Sequence, residues 1–153
     1  NAGVLPVPPH TPPREIDEEI WINAFKTNAV AHLVCADTFL PQVARSGHRK
    51  MLAVGSWVGS ISCNTTGGHY VYRASKAALH AIWRSFALDH PEIIAAVLSP
   101  GPLRTDMTRY DPEWWSKLQE PPDVIRKLRA LIAGMTKVDS GKFFHYTGET
   151  VPW

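Results

Sequence analysis

From Ile20 onward the apolar residues Ile20, Trp21, Ala24, Phe25, Ala29 and Val30 recur at intervals of three and four, the spacing of one helix face. Asp17, Glu18 and Glu19 supply the acidic residues that the helix dipole favours at an N-terminus. The pattern runs on through Leu33 and Phe39 to about Val43, with Pro41 expected to kink its end, and Ser46-Gly47-His48 breaks it. Residues 51–54 and 93–98 are short, unbroken apolar runs closed by Gly55 and by Ser99-Pro100-Gly101, which read as buried parallel strands. Between them, residues 60–68 are polar and turn-rich. A helix follows from Tyr70 or Tyr72 to His90, with Ala74, Ala77 and Ala78 early on its inner face and Ile82 and Phe86 later. Residues 102–121 read as a loop with one helical turn, 124–135 as a helix after Pro121-Pro122-Asp123, and 143–146 as a last strand. Residues 1–14, with Pro6, Pro8, Pro9, Pro12 and Pro13, read as loop. Helices alternating with buried strands predict an α/β fold with a parallel sheet of about three strands.

Composition changes this picture little. The chain has 153 residues, enough for a single core, with 44% hydrophobic and 20% charged residues, an ordinary globular balance. A net charge of +2 gives no argument for nucleic acid or an anionic membrane as partner. No apolar run approaches the ~20 residues of a membrane span, and no signal-peptide pattern opens the chain. Cys35 and Cys63 stand alone and read as free thiols in a reducing compartment, so the expected location is cytoplasmic. The histidines have no paired ligand spacing, and no metal site is expected.

The candidate chemistry lies in Tyr72-Arg73-Ala74-Ser75-Lys76. Tyr72 and Lys76 are four residues apart, one turn along the same helix face. A phenol has an unperturbed pKa of about 10, and bringing it near 7 takes about 4 kcal/mol. An ammonium at about 4 Å in an effective dielectric of 20 supplies that amount, so the pair can form a tuned acid/base suited to proton transfer at a carbonyl.

In company with Asn28, with Gly55-Ser56-Trp57-Val58-Gly59-Ser60 and with Pro100-Gly101-Pro102-Leu103-Arg104-Thr105, this pair resembles the pattern of the short-chain dehydrogenases/reductases. Gly141-Lys142-Phe143-Phe144, Gly148 and the terminal Pro152-Trp153 are similar to the tail of the C-factor/sniffer-type carbonyl reductase branch, and the resemblance covers the whole chain. It implies the C-terminal part of a Rossmann-type doubly wound parallel sheet, and an NAD(P)-dependent oxidoreductase interconverting a carbonyl and an alcohol. Tyr72 would be the acid/base and Lys76 would lower its pKa and hold the nicotinamide ribose. Ser56 would orient the substrate oxygen, and Asn28 would hold a water linking the lysine to solvent. Asn1, Ala2, Gly3, Pro100, Gly101 and Thr105 would line the cofactor, NADP(H) being favoured over NAD(H). Trp57, Trp114 and Trp115 are candidates for an apolar substrate mouth.

Alternatives stay open at this level. Ser60 and Ser62 compete with Ser56, whose separation from Tyr72 exceeds the commonest family spacing and requires a loop insertion to be absorbed. Tyr70 competes with Tyr72 but has Ala74 four residues on, and Asn28 could be a plain mid-helix polar residue. The family's glycine-rich nucleotide turn is found nowhere in these residues, and Asn1-Ala2-Gly3 matches a segment that follows the family's fourth strand. The expectation is therefore a single, N-terminally incomplete domain over residues 1–153 that pairs with a small-molecule substrate, with a homodimer possible. The rival from another class is an inactive relative kept as a signalling or scaffolding protein.

Overall fold

A computed structural model describes residues 3–153; Asn1 and Ala2, two of the expected cofactor-lining residues, lie outside the described residues. Three strands, β1 (Lys50–Val54), β2 (Ile94–Ser99) and β3 (Phe143–His145), form one sheet in the order β1-β2-β3. All pairings are parallel, with Met51 opposite Ala95 and Leu98 opposite Phe144. The helices are α1 (Glu18–Phe25), α2 (Ala31–Arg45), α3 (Tyr70–Asp89), α4 (Pro112–Ser116) and α5 (Pro121–Gly134).

Alternation along β2 explains why both sheet faces are covered. Ala95 and Val97 point to one layer with Ala53 and Phe143, where Leu79, Trp83 and Phe86 of α3 and Ala36 of α2 close the core. Ile94, Ala96 and Leu98 point to the other, against Val124 and Leu128 of α5 and Met135. Successive strand residues face opposite ways, so a strand buried on both faces must be apolar throughout, as β2 is. The expected α/β class and the three parallel strands are observed.

Two details differ from the sequence reading. The first long helix is not uniform: a π-helical turn, Lys26–Val30, joins α1 to α2 and contains the fully buried Asn28. The extra residue in that turn re-aims one side chain without ending the helix. The helix runs on through Pro41 to Arg45, close to its expected end at about Val43. Finally, α5 begins at Pro121 and not at Val124. Proline fits a first helical turn because its missing N–H has no intrahelical partner to lose there.

Candidate active site

Two glycines let α3 lie tight against the end of β1. A Cβ on Gly55 would fall 2.4 Å from Val97 Cγ1 and 2.5 Å from His80 Nε2, and one on Gly59 would fall 2.7 Å from Lys76 Cβ. This close approach puts Ser56 at the C-terminal edge of the sheet opposite Tyr72 and Lys76. It is the edge at which open parallel sheets receive ligands. A cleft of about 790 Å³ opens there, with Ser56, Tyr72 and Lys76 on its floor and Gly3, Gly101 and Thr105 on its walls.

The floor is a set of hydrogen bonds reaching far along the chain. Lys76 is buried and donates from Nζ to the Val54 carbonyl at 3.0 Å, and burial lowers its pKa to about 8. Tyr72 has its pKa raised by burial, while the Ser56 hydroxyl beside it acts in the opposite direction. Nζ stands 5.9 Å from the centre of the Tyr72 ring. Desolvation, and not the ammonium, therefore sets the direction of the tyrosine shift in this structure, contrary to the pull expected from the sequence.

Asn28 sits at the centre of a staple. Its Nδ2 donates to the Val4 carbonyl and to Ser75 Oγ, both at 2.9 Å, and its Oδ1 accepts from the Val4 N–H at 2.8 Å. The amide thereby fixes the first described segment beside α3, with Gly3 over the lysine: a Cβ there would be 3.9 Å from Nζ.

The competing residues separate. Ser60 and Ser62 donate to the carbonyls of Pro152 and Trp153, at 2.6 and 2.8 Å, and so anchor the C-terminal residues away from the cleft floor. Tyr70 is largely exposed and outside the cleft. The long segment between Ser56 and Tyr72 is absorbed by Arg73, whose guanidinium donates to the carbonyls of Val58, Gly67 and Gly68 and to Thr66 Oγ1.

Of the tryptophans, Trp57 and Trp114 line the cleft. Trp115 does not: its ring lies under Arg104 and Arg109, at 5.2 and 5.6 Å, and its Nε1 donates to the Thr105 carbonyl. Adjacent residues on the short helix α4 point in different directions, and only one of the pair can face the cleft. Thr105 caps the turn Asp106–Thr108, reciprocally with Thr108. Pro100 and Gly101 form the bend after β2, where Gly101 takes φ +68°, a region open to glycine.

Three contributors carry no local sequence signal. Buried Ser99 accepts at Oγ from the N–H groups of Trp57 (3.1 Å) and Gly101 (3.4 Å), tying both bends together. Buried His80 accepts from the Ser56 N–H at 3.4 Å through Nε2. His145, at the end of β3, stands on the cleft wall. Each could have been sought only as a polar residue inside an otherwise apolar strand or helix face.

The donor set suits a nicotinamide ribose. Among the described residues Lys76 makes one hydrogen bond, which leaves two of the ammonium's three donors for a ligand in the cleft. No group of three His, Cys, Asp or Glu side chains among the described residues is placed to hold a metal ion. No helix among them is long and apolar enough to cross a membrane.

A buried lysine, a phenol and a serine thus gather at the carboxyl ends of the parallel strands. The family model described as short chain dehydrogenase matches residues 1–115, and the chain belongs to that family. It is 36% identical over 141 residues to the C-signal of Myxococcus xanthus, spanning 91% of this chain and 82% of that protein. Its fold matches the carbonyl reductase Sniffer of D. melanogaster with a TM-score of 0.86 at 26% identity, over all of this chain and 64% of that one. The NADPH-bound carbonyl reductase from chicken fatty liver shares the fold at the same TM-score of 0.86, with 22% identity over 64% of its length. The chain thus spans about two thirds of the length of these solved relatives.

Proposed function

We propose that the chain carries the catalytic residues of an NADP(H)-dependent carbonyl reductase, in which Tyr72 gives the proton that completes reduction of an aldehyde or ketone to an alcohol. The observation that supports this most is the convergence of Ser56, Tyr72 and Lys76 on one cleft floor below Gly3, Gly101 and Thr105. A tyrosine whose pKa is raised by burial is protonated at neutral pH, the form a proton donor needs. Ser56 holds the substrate oxygen next to the phenol. As the proton leaves, the Lys76 ammonium stabilises the tyrosinate, a charge–charge attraction that strengthens as water is excluded. Lys76 would also hold the ribose hydroxyls, and Gly3, Pro100, Gly101 and Thr105, which line the cleft, would border the nicotinamide. When bound, the nicotinamide supplies the hydride. Asn28 holds Val4 and Ser75 in register with the lysine. NADP(H) is the cofactor we favour because structures of the same fold hold NADP or NADPH.

The test is Tyr72→Phe in a protein in which the glycine-rich nucleotide-binding segment of a carbonyl reductase precedes these residues. The rate of aldehyde reduction should fall by about two to four orders of magnitude with cofactor affinity little changed. More than half of the activity remaining would sink the assignment.

A second reading is favoured by one finding, the 36% identity to a protein named C-signal. On that reading the chain acts as a signalling protein and its cleft does no chemistry. Tyr72→Phe would then leave every activity of the chain unchanged.

A further inference from the structure

Immediately after β3 the chain turns back on itself. The Gly148 N–H donates to the His145 carbonyl at 2.9 Å and the His145 N–H donates to the Glu149 carbonyl at 2.8 Å. Gly148, at φ +93°, permits the turn. Three side chains are lined up by it. Thr147 Oγ1 lies 3.2 Å from Glu149 Oε2 and 3.0 Å from His145 Nδ1.

The direction of each bond follows from what each group can donate. A carboxylate only accepts, so the single hydroxyl proton of Thr147 goes to Glu149. The hydroxyl oxygen must then accept from His145, which puts the imidazole proton on Nδ1. Burial lowers the pKa of His145, against the opposing pull of Glu149, and keeps the ring neutral. In a neutral imidazole with Nδ1–H, Nε2 is an acceptor.

That acceptor stands beside Gly101, and both residues line the cleft. A Cβ on Gly101 would lie 3.5 Å from Nε2 and 3.3 Å from the ring of Tyr146, so the bare glycine leaves the space in front of the imidazole open. Trp57 meets the imidazole edge-on with centroids 5.7 Å apart, and Tyr146 lies against it at 4.2 Å. The ring is thus held by aromatic neighbours and by a hydrogen-bonded line behind it. The other polar groups on the cleft floor, Ser56, Tyr72 and Lys76, are donors toward a carbonyl oxygen. His145 offers the opposite character on a different wall.

We infer that His145 is a specificity residue: the line Glu149–Thr147–His145 presents Nε2 to accept a hydrogen bond from a hydroxyl that the substrate carries away from its reacting carbonyl. The substrate class is then a hydroxy-substituted aldehyde or ketone. This deepens the carbonyl-reductase reading and rests on it, but its test needs no turnover.

The 153-residue chain labelled with ¹⁵N is titrated at pH 7.5 with 4-(hydroxymethyl)benzaldehyde and, separately, with its methyl ether. The ring nitrogens of His145 are assigned by comparison with His145→Phe. In the free chain Nδ1 should carry the proton and Nε2 should not. The alcohol should shift the Nε2 signal and bind about five- to tenfold more tightly than the ether, the usual worth of one neutral hydrogen bond. His145→Phe should bring the two affinities together. Thr147→Val, which keeps the ring but removes the hydroxyl that orders its protons, should halve the preference or more. A proton on Nε2 in the free chain, equal binding of alcohol and ether, absence of binding by both, or an Nε2 shift caused by NADPH alone would each overturn the assignment. Failure of the carbonyl-reductase reading shows up elsewhere, in an undiminished rate for Tyr72→Phe.

Discussion

The floor and the lip of the cleft are built by opposite means. On the floor, Val54 and Ser99 end two strands, Ser56 and Trp57 follow the first of them and Lys76 and His80 belong to one helix; Lys76 bonds to Val54, Ser56 to His80 and Trp57 to Ser99. On the lip, residues 102–116 are held by short turns, by the Asp111 cap on α4 and by ion pairs such as Arg109–Asp106, which lies in solvent. Met107 and Tyr110 are substantially exposed there and border both the main cleft and a neighbouring hollow of about 740 Å³ next to α1. Surface ion pairs contribute little, ~0–1 kcal/mol each, whereas buried hydrogen-bonded groups are costly to disturb. On the proposed function, proton chemistry would fall to groups that cannot shift independently, while part of the substrate fit would fall to a loosely held segment.

The most direct way to break that comparison is a methyl group on the floor. Gly55→Ala would drive its Cβ into Val97 and His80, neither of which has a flexible tip to move aside. The expected cost is about 3 kcal/mol, at the upper end for overpacking a closed core, read as a lowered denaturation midpoint of the chain. Gly134→Ala, where an added Cβ meets nothing within 4 Å, is the matched control and should change stability by less than about 0.5 kcal/mol. Equal costs at the two sites would show that the floor is no tighter than the surface.

A smaller effect should sharpen the same contrast through pH. Burial, helped by Lys76, lowers the pKa of His80 to about 4, against an ordinary 6.5. Above pH 6.5 the ring is neutral in both folded and unfolded chains and its contribution is fully present. Between 6.5 and 4 the unfolded chain takes a proton that the folded chain refuses, so stability falls as pH falls. The slope is up to about 1.4 kcal/mol per unit and the total about 3 kcal/mol. The groups around the ring are Lys76 on the same helix, the Ser56 N–H, and the uncharged Phe143 and Trp153. His80→Gln keeps an acceptor for Ser56 but cannot titrate, and its stability should decline less steeply across that window. Identical pH dependence in denaturant titrations of the two chains would remove His80 as the cause.

How much of this could be read from the residues in order depends on how local each interaction is. The strands were legible because burial on both faces demands unbroken apolar runs, and residues 51–54 and 93–98 are such runs. Ser56, Tyr72 and Lys76 were legible because a strand end and one helical turn bring them to the same edge. The π-turn at Lys26–Val30 was not, since one extra residue in a long amphipathic stretch hardly disturbs a spacing of three and four. Nor was the Asn28 staple, whose partners lie 24 and 47 residues away. His80 reads as one more residue on the inner face of α3; only the absence of side chains at Gly55 and Gly59 brings it behind Ser56. Trp114 and Trp115 were indistinguishable because the direction of a five-residue helix is set by its cap and neighbours and not by its own pattern.

The smallest effect is expected at that helix. Asp111 Oδ1 accepts the Trp114 N–H at 3.0 Å, the side-chain bond that closes the first turn of α4. Removing such a cap costs about 1 kcal/mol of local helix stability. Asp111→Ala should therefore open α4 roughly fivefold more often, and the amides of Trp115 and Lys117, which bond back to Asp111 and Trp114, should exchange with solvent faster by that factor. The global denaturation midpoint should hardly move, because neither core layer includes a residue of α4. With Trp114 on the cleft wall, KM for an aldehyde should rise by a similar factor while kcat holds, since Tyr72 and Lys76 stand on other elements. A fall in kcat as large as the rise in KM would mean that lip and floor move as one body, and the division between them would have to be abandoned.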